Sequence, residues 1–209
     1  MGFWSYYKGV FLRPATTMRE LVADGRKLKF GVYAFLIPAI GYTLFYFMAW
    51  KAGGSPSTFK PWLVIPIEKY FFWDLFLTIP AYFVSILLAT SILYLLSKLM
   101  GGTGSWDDTF SVLALSAGVA TWSTMLHDLT DSFLGFIGII NMKHYELLLN
   151  TPSFWRALLW TLFLIYFVWF FTLFIKGVKE AQKLSWVKAI ILGILGVAMY
   201  QVMLLVFIR

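Results

Sequence analysis

Gly101-Gly102-Thr103-Gly104-Ser105-Trp106-Asp107-Asp108-Thr109-Phe110 is the one markedly polar, glycine-rich break inside a chain that is otherwise almost continuously apolar. To its left, residues 73–100 read as a helix long enough to cross a bilayer, and to its right residues 107–126 read as another. Glycine lacks a Cβ and accepts positive φ, so Gly101, Gly102 and Gly104 can close one helix and turn the chain tightly. Ser105 followed three residues later by Asp108 makes a capping box, with Asp in place of the usual Glu. Asp107 and Asp108 in the first turn also complement the positive end of the helix dipole. The stretch predicts a tight hairpin between two membrane spans.

Composition agrees with that reading. Of 209 residues, 60% are hydrophobic, 20% aromatic and 13% charged, and the mean hydropathy is +0.78. A soluble domain carries about a quarter charged residues, so lipid has to supply most of the outer solvent here. With no cysteine in the chain, disulfides, thiolate metal ligands and a cysteine nucleophile are all excluded. The first residues are aromatic and no small-residue cleavage site follows the first apolar run, so no signal peptide is expected. Gly2 does not open a myristoylation motif, because Tyr6 stands where Ser or Thr is needed.

Working outward, the pattern predicts an all-α polytopic membrane protein with five spans at about residues 30–50, 73–100, 107–126, 154–175 and 186–208. These form a membrane domain over residues 30–209, preceded by a cytoplasmic or interfacial segment over residues 1–29. In that segment the aromatics from Phe3 to Phe11 suit the headgroup region. Thr17 with Glu20 reads as a capping box, and Gly25 as the residue ending a short helix. Pro38 is expected to kink the first span by freeing the carbonyl of Ala34. Asp74 should complement the start of the second span. Residues 133–140 are too short to span and read as a re-entrant or surface piece, with residues 141–152 a polar loop. The fourth span is bulky on every side and is expected to face lipid broadly. Lys176 to Lys183 reads as a basic connector.

Small residues recur at helical spacing. Ser85 lies in a stripe with Ala81 and Ala89, while Ser111, Gly118 and Thr121 continue a second stripe from Asp107 through Ala114. Gly193 and Gly196 form a third with Ala189. Such stripes mark close helix packing, with an ion or solute path as the sharper alternative. The second and third spans are expected to pack face to face.

The formal charge of +7 does not point to nucleic acid, because the basic residues flank the spans. Eleven of the 17 fall on one side: Lys8, Arg13, Arg19, Arg26, Lys27, Lys29, Lys98, Lys176, Lys179, Lys183 and Lys188. The positive-inside rule therefore places the N-terminus in the cytoplasm and the C-terminus outside. Lys51, Lys60, Lys69, Lys143, Arg156 and Arg209 fall on the other side.

No catalytic constellation emerges. The glycine run lacks the Lys-Ser/Thr ending of a phosphate-binding loop, and Asp107 and Asp108 point about 100° apart on a helix, so they form no dyad. No cofactor is expected. One cluster has metal-ligand chemistry: His127, Asp128 and Asp131, with His127 and Asp131 four apart on one helical face and His144 and Glu146 later in the same region. A divalent cation is the functional reading, and a His–Asp hydrogen bond at a solvated loop end the plain one.

Two segments together resemble the prokaryotic branch of the Yip-domain family. One runs from Phe11 through Arg13, Pro14, Thr17, Arg19 and Glu20 to Leu21, followed by Gly25; the other is the glycine-rich stretch from Gly101 to Phe110. Their order and spacing, the five-span layout and the cytoplasmic start extend the resemblance over nearly the whole chain. The family is named for eukaryotic members that interact with Rab-type small GTPases in vesicle traffic. The resemblance thus implies a non-enzymatic integral membrane scaffold or adaptor in a prokaryotic cytoplasmic membrane. This chain has no long hydrophilic N-terminal region and no Asp-Leu-Tyr-Gly-Pro segment before its first span, which argues against GTPase binding. Expected partners are the bilayer, anionic lipids, a protein on the cytoplasmic face and a second copy in a homodimer. The alternative is a small cation or solute transporter, with the Asp107–Thr121 stripe as path and His127, Asp128 and Asp131 as its entry.

Overall fold

A computed structural model describes residues 1–56 and 62–208 of the chain, so Lys60 and Arg209 of the charge pattern lie outside the described residues. The described residues build nine α-helices and no strand. They are α1 (Phe3–Leu12), α2 (Pro14–Val22), α3 (Lys27–Lys51), α4 (Tyr70–Leu99), α5 (Trp106–Ala120), α6 (Trp122–Phe136), α7 (Met142–Asn150), α8 (Phe154–Gln182) and α9 (Trp186–Ile208).

Four of them (α3, α4, α8 and α9) are long and apolar enough to cross a membrane. The helices α5 and α6 form a bent pair, meeting at 46° around Thr121, that is apolar and long enough for a fifth crossing only when taken together. The third span therefore does not run straight to Leu126. Thr121 donates its hydroxyl to the Ala117 carbonyl one turn back at 2.7 Å, a back-bond that tends to bend helices. Residues 133–136, expected as a separate surface piece, are the last turn of α6.

The helix α5 is the axis of the bundle. Every residue from Asp108 to Ala120 is buried, and its neighbours are chiefly α3 and α8, with α4 packing mainly on α9 and α3. This corrects the expected face-to-face pairing of the second and third spans. The reason lies at two glycines. A Cβ at Gly118 would stand 2.3 Å from the Ala34 carbonyl oxygen, and one at Gly31 would stand 3.0 Å from the Ser111 Cα. Pro38 has no N–H for that Ala34 carbonyl, so α5 presses its bare backbone onto the acceptor that the proline leaves open, and α3 and α5 run side by side in the same direction.

The N-terminal segment is not a loose interfacial strip. Tyr6, Tyr7, Val10, Met18 and Leu21 belong to the same core as the spans. Tyr7 donates to the Gly118 carbonyl at 2.6 Å, and Trp122 Nε1 donates to the Tyr7 hydroxyl at 2.6 Å. Burial pushes the Tyr7 phenol up to about 12. Gly118 is twelve residues into α5, about 18 Å along its axis. Phe11 meets Trp169 edge-on with centroids 5.2 Å apart, at the middle of α8. The chain then turns at Arg13, and α2 returns to the end of α8, where Arg19 pairs with Glu180 at 3.0 Å. The two short helices form a hairpin lodged against one half of the bundle. Its helix signals differ from expectation as well: α2 starts at Pro14, so Thr17 is buried inside the helix and caps nothing, and Ala23, not Gly25, follows its end.

Three further boundaries shift. Asp74 lies in the second turn of α4 and is fully buried. The basic connector is the last stretch of α8, closed by Lys183 at φ 55°, and the polar loop over residues 141–152 contains α7.

Candidate functional site

At the basic end the glycine loop grips the end of α8. Gly101 takes φ +87°, the Gly102 amide donates to the Ser97 carbonyl at 2.7 Å, and the Thr103 amide donates to the Gln182 carbonyl at 3.1 Å. A Cβ at Gly104 would stand 1.9 Å from the Ala181 carbonyl oxygen, so only glycine lets the loop lie on that turn. Ser105 and Asp108 form a reciprocal capping box at 3.1 and 2.7 Å. The other oxygen of Asp108 meets Lys27 Nζ at 2.6 Å, tying the loop to the start of α3. Gln182 Nε2 donates to Thr109 Oγ1 at 2.6 Å. Glu180 sits between Arg19 and Lys179 at 3.0 and 3.4 Å. Asp24 bonds Arg26 and lies 3.9 Å from the N-terminal ammonium, and the Arg26 guanidinium holds that carboxyl well below the usual carboxylate range. Asp107 is half-buried, and its backbone carbonyl accepts from the Ser111 hydroxyl at 2.7 Å.

The small-residue stripes lie in helix contacts. Ser85 and Thr121 donate to carbonyls of their own helices at 2.7 Å each. A Cβ at Gly193 would come 2.8 Å from the Ile175 Cα, and one at Gly196 would come 2.4 Å from Leu93 Cδ1. None of Ser85, Ser111, Gly118, Thr121, Gly193 or Gly196 lines the cavity around His127.

That cavity, about 280 Å³, opens at the opposite end between α3, α4, α6, α7, α8 and α9. His127, Asp128 and Asp131 converge on it, with one ligand-type atom from each within 4.8 Å of the others. Asp128 Oδ1 lies 3.0 Å from His127 Nδ1. A carboxylate only accepts, so Nδ1 carries a proton, and Nε2 lies 2.9 Å from the Tyr145 hydroxyl. Tyr42 donates to Asp128 Oδ2 at 3.1 Å, the Ser132 amide to Asp131 Oδ1 at 2.7 Å, and the Ser55 amide to Glu146 Oε1 at 2.7 Å. Gln201, from α9, donates to Tyr166 across the cavity floor. A divalent cation held by His127, Asp128 and Asp131 would have to displace the Tyr145 hydroxyl or the Asp128 partner, since both ring nitrogens are engaged. His144 is exposed and does not line the cavity.

Sequence reading singles out Glu146 with the histidine cluster but misses Tyr145. The signal was present: Met142, Tyr145, Glu146 and Leu149 follow one helical face, and the N-cap Asn141, which accepts from the His144 amide at 3.1 Å, marks the helix start.

Four helices long and apolar enough to cross a membrane, packed with the bent α5–α6 pair, define an integral, multi-pass α-helical membrane protein. The Yip1 domain matches residues 8–208. The chain belongs to the Yip1-domain family. No curated protein and no solved structure matches it.

Proposed function

We propose that the protein is a non-catalytic, membrane-organising scaffold that works through its basic end, facing the cytoplasm, by gathering anionic headgroups and docking a protein partner. One observation carries this reading. At that end Asp24, Asp108 and Glu180 are turned into internal ion pairs, whereas Lys8, Arg13, Lys29, Lys98, Lys183 and Lys188 remain exposed. The surface left to the surroundings is cationic, which suits the anionic lipids of a cytoplasmic leaflet. The α1–α2 hairpin supports it further, because it thickens only the basic half of the molecule. The test reconstitutes the full chain in phosphatidylcholine vesicles and scores capture of a second population containing phosphatidylglycerol. Combined Lys98→Glu and Lys183→Glu should abolish capture; undiminished capture would sink the proposal.

The cavity favours a second reading, transport of a small cation. A route from it past the Asp107–Thr121 stripe would have to pass Gly118, whose backbone lies against Ala34. Cation flux in liposomes that disappears in Asp107→Ala would raise this reading above the first.

A further inference from the structure

The cavity beside His127 contains a buried hydroxyl with nothing to bond. Tyr82 lies twelve residues past the start of α4, about 18 Å along the helix. It is 3% exposed and lines the cavity. Its ring packs against Phe35, Tyr42 and Tyr200, yet among the described residues its hydroxyl has no hydrogen-bond partner. Buried tyrosines ordinarily give that group a partner, and hydrocarbon offers none. Two more neutral groups in the same cavity are half used. Tyr166 accepts from Gln201 Nε2 while its own proton goes unspent, and the Gln201 amide oxygen has no partner among the described residues. The His127–Asp128 pair, by contrast, is already closed by Tyr42 and Tyr145. Phe167 and Leu205 line the cavity and are 41% and 37% exposed, so it opens on the flank of α8 and α9, the flank that meets lipid.

We infer that this cavity receives the hydroxyl end of an uncharged lipid alcohol entering from the bilayer, with its hydrocarbon chain trailing out past Phe167 and Leu205. A hydroxyl both donates and accepts, the head-group chemistry that answers a phenol and an amide oxygen alike. An ether or an ester only accepts, and leaves the Gln201 oxygen bare. A charged head would exchange its water for neutral partners on this flank, at a cost. The rings of Tyr82 and Tyr166 and the side chain of Leu204 take the first methylenes out of contact with polar surroundings. A volume of about 280 Å³ lies near the lower edge of small-molecule sites and suits one hydroxyl with a short stretch of chain. The basic end takes no part, so this inference and the scaffold reading stand or fall separately.

The experiment photolabels the full chain in phosphatidylcholine nanodiscs with a diazirine-bearing octanol and maps the adducts by peptide mass spectrometry. Octanol, octyl methyl ether, octylammonium and octanoate serve as competitors, compared at equal concentration in the lipid. The expected result is saturable labelling of cavity residues on α4, α8 and α9. Octanol should remove it at a concentration at least about fivefold below that needed of the ether. Tyr82→Phe deletes only the unpartnered hydroxyl, so its melting temperature should match that of the natural chain. It should weaken octanol about fivefold and leave the ether unchanged, a split that a purely structural role would not produce. Gln201→Met should weaken octanol likewise, and carries the test alone if Tyr82→Phe does not fold. Four outcomes would each overturn the inference: adducts that excess octanol does not reduce, an ether that competes as well as octanol, an ion that competes better, or a folded Tyr82→Phe that binds octanol with unchanged affinity.

Discussion

The two ends of the bundle handle buried polar groups in opposite ways. At the basic end, charge is cancelled where it is buried: Lys27 closes on Asp108 at 2.6 Å, Arg19 on Glu180 at 3.0 Å, and the glycine loop lies directly on the Ala181 carbonyl. At the far end, a phenol and two backbone amides donate to Asp128, Asp131 and Glu146 around a volume of about 280 Å³. One end is a joint in which backbones touch; the other is a receptacle lined by aromatic rings and carboxylates. Rigidity and recognition are thus separated along the axis, so damage at either end should read out differently.

The largest expected effect comes from crowding the joint. Gly104→Ala places a Cβ against a backbone carbonyl that cannot swing away, and should cost about 3 kcal/mol or more of stability in thermal or denaturant unfolding. Tyr7→Phe removes a donor to the Gly118 carbonyl and an acceptor for Trp122 Nε1, leaving both partners buried, and should cost about 1–3 kcal/mol. The comparison sharpens at Gly138, near the far end, where φ is +79° and a Cβ would meet nothing within 4 Å. Gly138→Ala bears only the left-handed backbone cost, about 1 kcal/mol. If Gly104→Ala and Gly138→Ala melt alike, the idea that one end is a close-packed joint fails. Smaller still, Asp131→Asn should leave stability within about 0.5 kcal/mol, since the amide oxygen can still accept from the Ser132 N–H.

The smallest effect is one of pH. The folded-state carboxyl of Asp24 sits below its usual value because Arg26 bonds it, so its contribution is fully present above about pH 4, the unfolded value, and fades as acid protonates it. Amide protection factors in α1, corrected for the intrinsic exchange rate, should fall on lowering the pH from 6 to 3 more in the natural chain than in Asp24→Asn.

Much of the fold was legible because lipid imposes long apolar runs, and caps are local. Ser105 and Asp108 are three residues apart, so their box needs nothing distant. What escaped was tertiary. The bend at Thr121 has no proline to announce it; a threonine back-bond bends the chain there. Thr17 carries a cap-like pattern, yet Pro14 opens α2 and buries Thr17 beside Gly9, where a Cβ would stand 2.6 Å from its hydroxyl. The His127 cluster was visible by helical spacing, while its phenols, Tyr42 and Tyr145, arrive from α3 and α7. The cavity itself is assembled from six helices, and no single stretch of sequence encodes a volume.

The burial of α5 also has a consequence for how the protein is made. Fifteen residues extend about 22 Å, short of a hydrocarbon layer of about 30 Å, and nearly all of them end up touching protein. As the chain leaves the ribosome, α3 and α4 are already available but α8, which seals the remaining side, has yet to be synthesised. The central helix therefore waits, incompletely enclosed, for a wall that arrives some thirty to sixty residues later, and that interval is where an insertion chaperone or a premature stop would decide the fate of the molecule.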